Sequence, residues 1–401
     1  MPETVAWIIL AVGLTIGLVP IVLTLRFERE LRRLLQQKFP MPRGRVAAIV
    51  PCKGIDQGFR QNIESFLAQD HPQLQLIFVV ATQDDPAHQE LGNILSVHSG
   101  GTVAALHVAG IDNQRAQKLT NQLHGLAQVS EDTDFLVFLD SDLRPDPGFI
   151  RRLIAPLSDS SIGATTGFRW YHPTTTNLGS ILRSTWNAGA LPLLTSPATV
   201  FAFGGAMAMR KSDFLAAGID EAWDRALSDD FPLTLGVRQL GLELRFVPSC
   251  IAVCFEQSTL ADTVEFTNRQ SIISRIYFPP LWIGAAAAHS ISALILALGV
   301  VGATLWLTHG GTANLVLSGC LAILPLQCIN AAVMLRAVPQ ILPQIADQLK
   351  ALRVHYVLSA PLATVLSLLN TSYSVTTRQI VWRGIRYEMV SPNETRVISD
   401  E

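Results

Sequence analysis

Apolar and polar positions divide the chain into long uncharged runs toward its two ends and a charged middle with short apolar runs. Residues 4–25 carry no Asp, Glu, Lys or Arg. At ~1.5 Å per helical residue they cover the ~30 Å hydrocarbon core of a bilayer. Glu3 is the only charged side chain before this run, whereas Arg26, Arg29, Arg32, Arg33 and Lys38 follow it. A cleaved signal peptide would carry a basic start and a shorter apolar core. The run therefore reads as an uncleaved anchor, with its N-terminus outside and the following chain in the cytoplasm. Residues 276–335 again lack any charged side chain, and the polar turn Thr308-His309-Gly310-Gly311-Thr312 divides them into two spans. That hairpin goes out and returns, leaving Arg336 inside. The last apolar run, residues 354–377, has Lys350 and Arg353 before it and Arg378, Arg383 and Arg386 after it, with Pro361 in its middle. Basic flanks on both sides and a central proline predict a bent re-entrant element or a crossing with poor charge asymmetry.

The charged middle shows a different period. Residues 46–50, 76–80 and 135–139 are short continuous apolar runs, as in strands buried on both faces of a parallel sheet. Between the first two, apolar residues at 59, 63, 66 and 67 predict a helix over 59–69. Strand, helix, strand at this spacing is a βαβ unit and implies an open twisted sheet, which binds ligands at the carboxyl ends of its strands.

Composition agrees with a membrane protein carrying one such domain. Over 401 residues, 30 basic and 32 acidic side chains give a net charge of −2, which excludes the basic excess of a nucleic-acid binder. Charged residues make up 15%, against roughly 25% in an average soluble domain, and mean hydropathy is +0.32. Five scattered cysteines, Cys52, Cys250, Cys254, Cys320 and Cys328, form neither a disulfide scaffold nor a zinc pattern.

Acidic residues collect where the sheet should bind its ligand. Pro51, Cys52, Lys53 and Gly54 follow the first strand, Thr82, Gln83, Asp84 and Asp85 the second, and Asp140, Ser141 and Asp142 the third. Two carboxylates two residues apart at the end of a buried strand can bind a divalent cation that also holds a diphosphate. A lone Asp at such a place caps a turn, but here sister strand ends carry acids as well. Asp229 and Asp230, before a helix-like run to Leu240, suit either N-terminal capping or general-base work. Gly204-Gly205 marks a close backbone approach to a ligand or a simple turn. Residues 260–278 mix Asn268, Arg269, Gln270 and Arg275 with Ile272, Ile273, Ile276, Tyr277 and Phe278, the pattern of an amphipathic interfacial helix. Arg275 adds a cation suited to a phosphate leaving group.

Several strings recur together in one family: Cys52-Lys-Gly-Ile-Asp56 with Asn62-Ile-Glu-Ser-Phe66, Gln83-Asp-Asp-Pro-Ala87, and Lys118 with Asn121. Further on come Asp140-Ser-Asp-Leu-Arg144, Gly205 with Met209-Arg-Lys211, Asp229-Asp230 with Gly241 and Arg245, and Trp382-Arg-Gly384 with Tyr387. In this order they resemble the inverting family 2 type glycosyltransferases, most closely the ceramide glucosyltransferase branch, over residues 46–387. The resemblance implies an α/β GT-A (nucleotide-diphospho-sugar transferase) domain with a mostly parallel open sheet, plus α-helical transmembrane segments. It implies a UDP-sugar donor, a membrane lipid acceptor, and Mg²⁺ or Mn²⁺ held by Asp140 and Asp142. Asp230 falls at the catalytic base by its spacing to Gly241. Lys53, Asp84, Asp85, Lys118, Asp140 and Arg275 would contact the donor, and Gly204, Gly205 and Asp229 the acceptor. Relatives close the domain with a Gln- or Arg-x-x-Arg-Trp pattern; here Ile272-Ile-Ser-Arg275-Ile276 keeps only the arginine.

The expected organisation is an anchor and basic linker (1–45), a cytoplasmic GT-A domain (46–259), an interfacial helix (260–278), a membrane region (279–377) and a cytoplasmic tail (378–401). Two alternatives stay open: a sugar-nucleotide-binding membrane protein with altered catalysis, and a polysaccharide synthase. A synthase would be expected to carry more spans and an intact closing motif. A transporter would show charged or broken membrane helices, which residues 276–335 lack.

Overall fold

Each apolar run of the charged middle becomes a buried strand in the computed structural model, which describes residues 1–400. The strands are β1 (Arg45–Pro51), β2 (Leu74–Val80), β3 (Val103–Val108), β4 (Thr133–Leu139), β5 (Ile162–Pro173), β6 (Ala206–Arg210) and β7 (Glu243–Glu256). They form one sheet in the order β3-β2-β1-β4-β6-β5-β7. The pairs β1/β2, β2/β3 and β1/β4 are parallel, and β6 runs antiparallel to both β4 and β5. The predicted helix forms over Phe59–Leu67, entered through Gly58 at φ 76. It buries Phe59, Ile63 and Phe66 against Val46, Ala48 and Val50 of β1. Full burial of each such side chain contributes ~1.5–3 kcal/mol.

Two features of this sheet position the site. The chain builds outward from β1 through β2 to β3, then returns to place β4 on the other side of β1. The order reverses between β1 and β4, and at such a switch point a crevice opens beyond the carboxyl ends of the strands. The register of β6 on β4 pairs Leu139 with Ala206, so Gly204 and Gly205 lie beside the first residues after β4.

The chain divides into two compact units. The sheet unit contains residues 33–172 and 193–256 together with the C-terminal residues from 378. Residues 378–400 are folded rather than extended: β8 (Gln379–Trp382), β9 (Ile385–Ser391) and β10 (Glu394–Asp400) make an antiparallel meander. Its first turn holds Arg383 and Gly384 at φ 53 and 80, the left-handed pair that suits a two-residue hairpin.

The helical unit contains residues 1–32, 173–192 and 257–377, so the short helix Leu178–Ala188 belongs with the helices although it interrupts the sheet sequence. Four segments are long and apolar enough to cross a membrane: Glu3–Gln36, Pro279–His309, Thr312–Gln340 and Pro343–Thr376. The second and third meet at Gly310, whose φ 68 and ψ −152 are open only to glycine, so the expected hairpin turn falls there. The fourth contains a continuous helix, Ala346–Thr376, that runs through Pro361 without interruption. It therefore has no re-entrant bend, the outcome that the central proline suggested. Its buried side is Tyr356, Ser359, Ala360, Ala363, Leu366, Asn370 and Ser374, one face at helical spacing. Residues 260–277 form a helix begun by a reciprocal capping box between Thr259 and Asp262.

Candidate active site

Lys118 is the hub of the crevice. It lies near the start of the helix Gln117–Leu126, and its ammonium reaches Asp140 Oδ1 at 2.8 Å, Asp229 Oδ2 at 2.8 Å and the carbonyl of Gly204 at 3.2 Å. All three of its donors are thereby used. Asp229 is buried and also accepts from Gln122 Nε2 at 2.9 Å. The carboxylates after β4 and those before the helix Asp230–Gln239 are thus joined through a single cation.

A second cation, Arg169, stands inside the sheet on β5. Its Nη1 donates to Asp142 Oδ2 at 2.7 Å and its Nη2 to Asp140 Oδ2. Burial alone would raise the Asp140 carboxyl, but Lys118 and Arg169 together hold it below its ordinary value. Asp142 goes the other way: burial raises it, Arg169 opposes, and the neighbouring Asp140 and Asp56 raise it further. Asp142 Oδ1 is buried and has no hydrogen-bond partner. The two glycines are needed for closeness. A Cβ on Gly205 would stand 2.9 Å from Arg169 Nη2 and 3.1 Å from Asp140 Oδ2, and one on Gly204 2.6 Å from Asp229 Oδ1.

Asp230 sits at the edge of this cluster. It is half-buried, and its Oδ1 accepts from Ser228 Oγ and from the Phe231 amide. Burial, then the charge of Asp229, pushes its carboxyl up to about 6 despite the Ser228 hydrogen bond and Lys118. A carboxylate poised there can take a proton near neutral pH.

The loop after β1 forms a second group in the same unit. Lys53 donates to the carbonyl of Arg383 at 2.7 Å, and Arg383 makes a bidentate pair with Asp56, 2.7 Å to each oxygen. Asp85 caps the helix Pro86–Ser96 through the Ala87 amide at 2.9 Å and also accepts from the Gly54 amide at 2.8 Å. Asp84 is exposed beside it. Arg275 lies in the helical unit, where it donates to the carbonyls of Val375 at 3.4 Å and Thr377 at 2.9 Å.

The structure thus brings Lys118, Asp140, Asp142, Asp229, Gly204 and Gly205 into one cluster, with Asp230 adjoining. Lys53 and Asp85 belong to the neighbouring loops. Sequence reasoning missed Arg169, Gln122 and the Asp56–Arg383 pair. A signal for Arg169 was present: it stands alone among Phe168, Trp170 and Tyr171, and a charge in so apolar a setting needs acidic partners.

The donor set fits a divalent cation shared with a substrate. Among the described residues no group of three or more His, Cys, Asp or Glu could hold a metal by itself. Asp142 offers its unpartnered Oδ1, and Mg²⁺-like ions are commonly held by one or two carboxylates plus substrate phosphates.

Sheet order, switch-point carboxylates and apolar helices define a membrane protein with an α/β domain built to receive a polar ligand at its strand ends. The chain belongs to glycosyl transferase family 21, whose sequence profile matches residues 5–395. It is a glycosyltransferase of GT-A fold, as the fold expectation had it. No curated protein sequence matches it. Similar solved structures include a mannosyltransferase from Pyrobaculum calidifontis in complex with GDP-Man and Mn²⁺. That pair is 13% identical, covering 92% of this chain and 96% of the other, with a TM-score of 0.46. Another is glucosyl-3-phosphoglycerate synthase from Mycobacterium tuberculosis with Mn²⁺ and UDP-glucose, 16% identical over 62% of this chain and 81% of the other, with a TM-score of 0.37.

Proposed function

We propose that this protein transfers a hexose, glucose in the simplest case, from a UDP-sugar to the hydroxyl of a membrane lipid at the cytoplasmic face, with inversion at the anomeric carbon. One observation carries the proposal: Lys118 ties Asp140, from the end of β4, to Asp229, which adjoins the raised carboxyl of Asp230. A diphosphate site and a proton acceptor thereby share one crevice. The basic run from Arg26 to Lys38 supports the cytoplasmic side. Four apolar helices on the same chain support an acceptor drawn from the bilayer.

In this mechanism Asp230 takes the proton of the attacking hydroxyl. Asp229, buried against Lys118 and Gln122, sets the position of Asp230 and of the acceptor. Lys118 and Arg169 fix the Asp140 and Asp142 carboxylates, and the close backbone of Gly204 and Gly205 shapes the wall beside them. Mg²⁺ or Mn²⁺ held by Asp142, with Asp140 beside it, would neutralise charge growing on the departing diphosphate, typically a gain of several kcal/mol. Lys53 and Asp85 order the loops after β1 and β2, where the nucleoside would lie.

Mass spectrometry of lipids from cells expressing the chain, compared with the Asp230→Asn variant, tests the proposal. A hexosylated lipid present only with the parent supports it. Donor binding with neither hydrolysis nor any new glycolipid would leave a sugar-nucleotide-binding protein with altered catalysis. Asp142→Asn is expected to remove the metal-dependent part of donor binding in calorimetric titrations with a UDP-sugar and Mn²⁺. An affinity unchanged from the parent, with and without the cation, would remove Asp142 from the metal site.

A further inference from the structure

The helix Ala346–Thr376 is long and apolar enough to span a bilayer, yet chain topology forbids it to do so. Residues 193–256 and 378–400 belong to the same compact unit. Within that unit the C-terminal meander is bonded to the sheet loops: Arg383 pairs with Asp56 at 2.7 Å, Lys53 reaches the Arg383 carbonyl at 2.7 Å, and the Gln117 amide donates to the Tyr387 hydroxyl at 3.2 Å. A folded unit held together this way lies on one side of a membrane. The number of crossings between residues 256 and 378 is therefore even. Three apolar segments lie in that interval, so at least one of them does not cross.

Contacts within the helical unit identify which one. Arg336, near the end of the third segment, reaches Glu28 Oε2 at 3.5 Å, near the end of the first. The sheet unit begins at Arg33, five residues after Glu28. The hairpin of the second and third segments has thus already returned to the sheet side when the fourth begins. The fourth ends at Thr376, directly before the meander, so it starts and finishes on that same side.

Its middle is fixed there as well. Residues 173–192 leave the sheet unit and rejoin it, and their 11-residue helix Leu178–Ala188, ~16 Å long, is too short to cross and return. Yet Tyr356 and Ser359, well inside the fourth segment, bond to this short helix through Ser184 and Thr185, each at 2.8 Å. Farther along, Asn370 accepts from Thr267 of the helix Leu260–Tyr277 at 3.2 Å. The opposite face carries exposed Val354, Leu358, Leu362, Val365, Leu369 and Tyr373, spaced by three and four residues.

We infer that Ala346–Thr376 lies in the plane of the membrane interface, with this apolar stripe sunk into the acyl boundary and its hydroxyl-bearing face bonded to protein. Its partner is the lipid surface, and the protein crosses the bilayer three times. Basic flanks at both ends, which no single crossing accommodates, are what such a helix requires.

The test uses the full chain in sealed native vesicles of both orientations and does not depend on any activity. Asn393→Cys in the meander and Gly101→Cys in the sheet unit should react with a membrane-impermeant maleimide from the same side, and Thr312→Cys from the other. Spin labels at residues 354, 358, 362 and 369 should report one shallow depth, ~5–10 Å into the boundary. A crossing helix would instead give depths passing through the middle of the ~30 Å core. Labelling of residues 393 and 101 from opposite sides, or a depth profile with a central maximum, overturns the inference. Neither result bears on whether the crevice transfers sugar.

Discussion

Asp230→Asn is expected to lower kcat by ~10²–10⁴-fold while leaving donor affinity nearly unchanged, because it removes a general base and almost no volume. The reason lies in the pairing of Asp230 with Asp229. Asp229 pairs with Lys118 and accepts from Gln122, while Asp230 beside it is half-buried and accepts from Ser228 and the Phe231 amide; burial, then the Asp229 charge, raises the Asp230 carboxyl. Two carboxyls in sequence thereby take different tasks. The pH dependence follows with a definite sign. The base works when deprotonated, and its carboxyl is pushed up to about 6, so kcat/KM should fall as pH drops through that value rather than near 4. The same displacement costs stability in the opposite direction: between about 4 and 6 the folded chain binds more protons than the unfolded one, so folding weakens as pH rises. Steady-state rates from pH 5 to 8 check both the amplitude and the midpoint. A profile that stays flat to pH 5, or an Asn variant with parental kcat, would assign the base elsewhere.

How much of this arrangement could be read in advance depends on how each element signals itself. The strands β1, β2 and β4 are uninterrupted apolar runs because both faces are covered, so composition alone revealed them. The acids after β4 were visible for the same reason, since a charge pair ending such a run marks the ligand edge. β5 was invisible: all twelve residues from Ile162 to Pro173 are buried, yet they include Thr165, Thr166, Arg169 and His172. Several of these polar groups bond to distant parts of the chain, such as Thr165 to the Leu153 carbonyl at 2.6 Å and Arg169 to Asp142 at 2.7 Å, and such bonds leave no trace in local periodicity. β3 failed for the opposite cause, being half-exposed with no clean alternation. The C-terminal meander escaped notice because its stability comes from long-range pairs, Arg383 with Asp56 above all. Pro361 gave no usable signal, since the helix Ala346–Thr376 runs on through it.

Lys118→Met carries the largest expected structural effect. The substitution keeps the length of the side chain and removes its charge, leaving Asp140 and Asp229 facing each other in a buried setting without their shared cation. Removing one partner of a buried pair typically costs ~3–5 kcal/mol, since the remaining charge stays desolvated. Arg169 still neutralises Asp140 from the other side, so the loss concentrates on Asp229, whose remaining side-chain donor is Gln122. A double variant separates charge from packing. Lys118→Met combined with Asp229→Asn removes the orphaned charge and should recover much of the lost thermal stability in detergent. Donor binding should stay impaired in both variants, because Asp140 loses the same ammonium in each. A purely packing role for Lys118 predicts instead that Met is nearly neutral and that adding Asp229→Asn makes matters worse. Unfolding midpoints for the parent, the two single variants and the double variant decide between these outcomes, since their non-additivity measures the coupling of Lys118 to Asp229 directly.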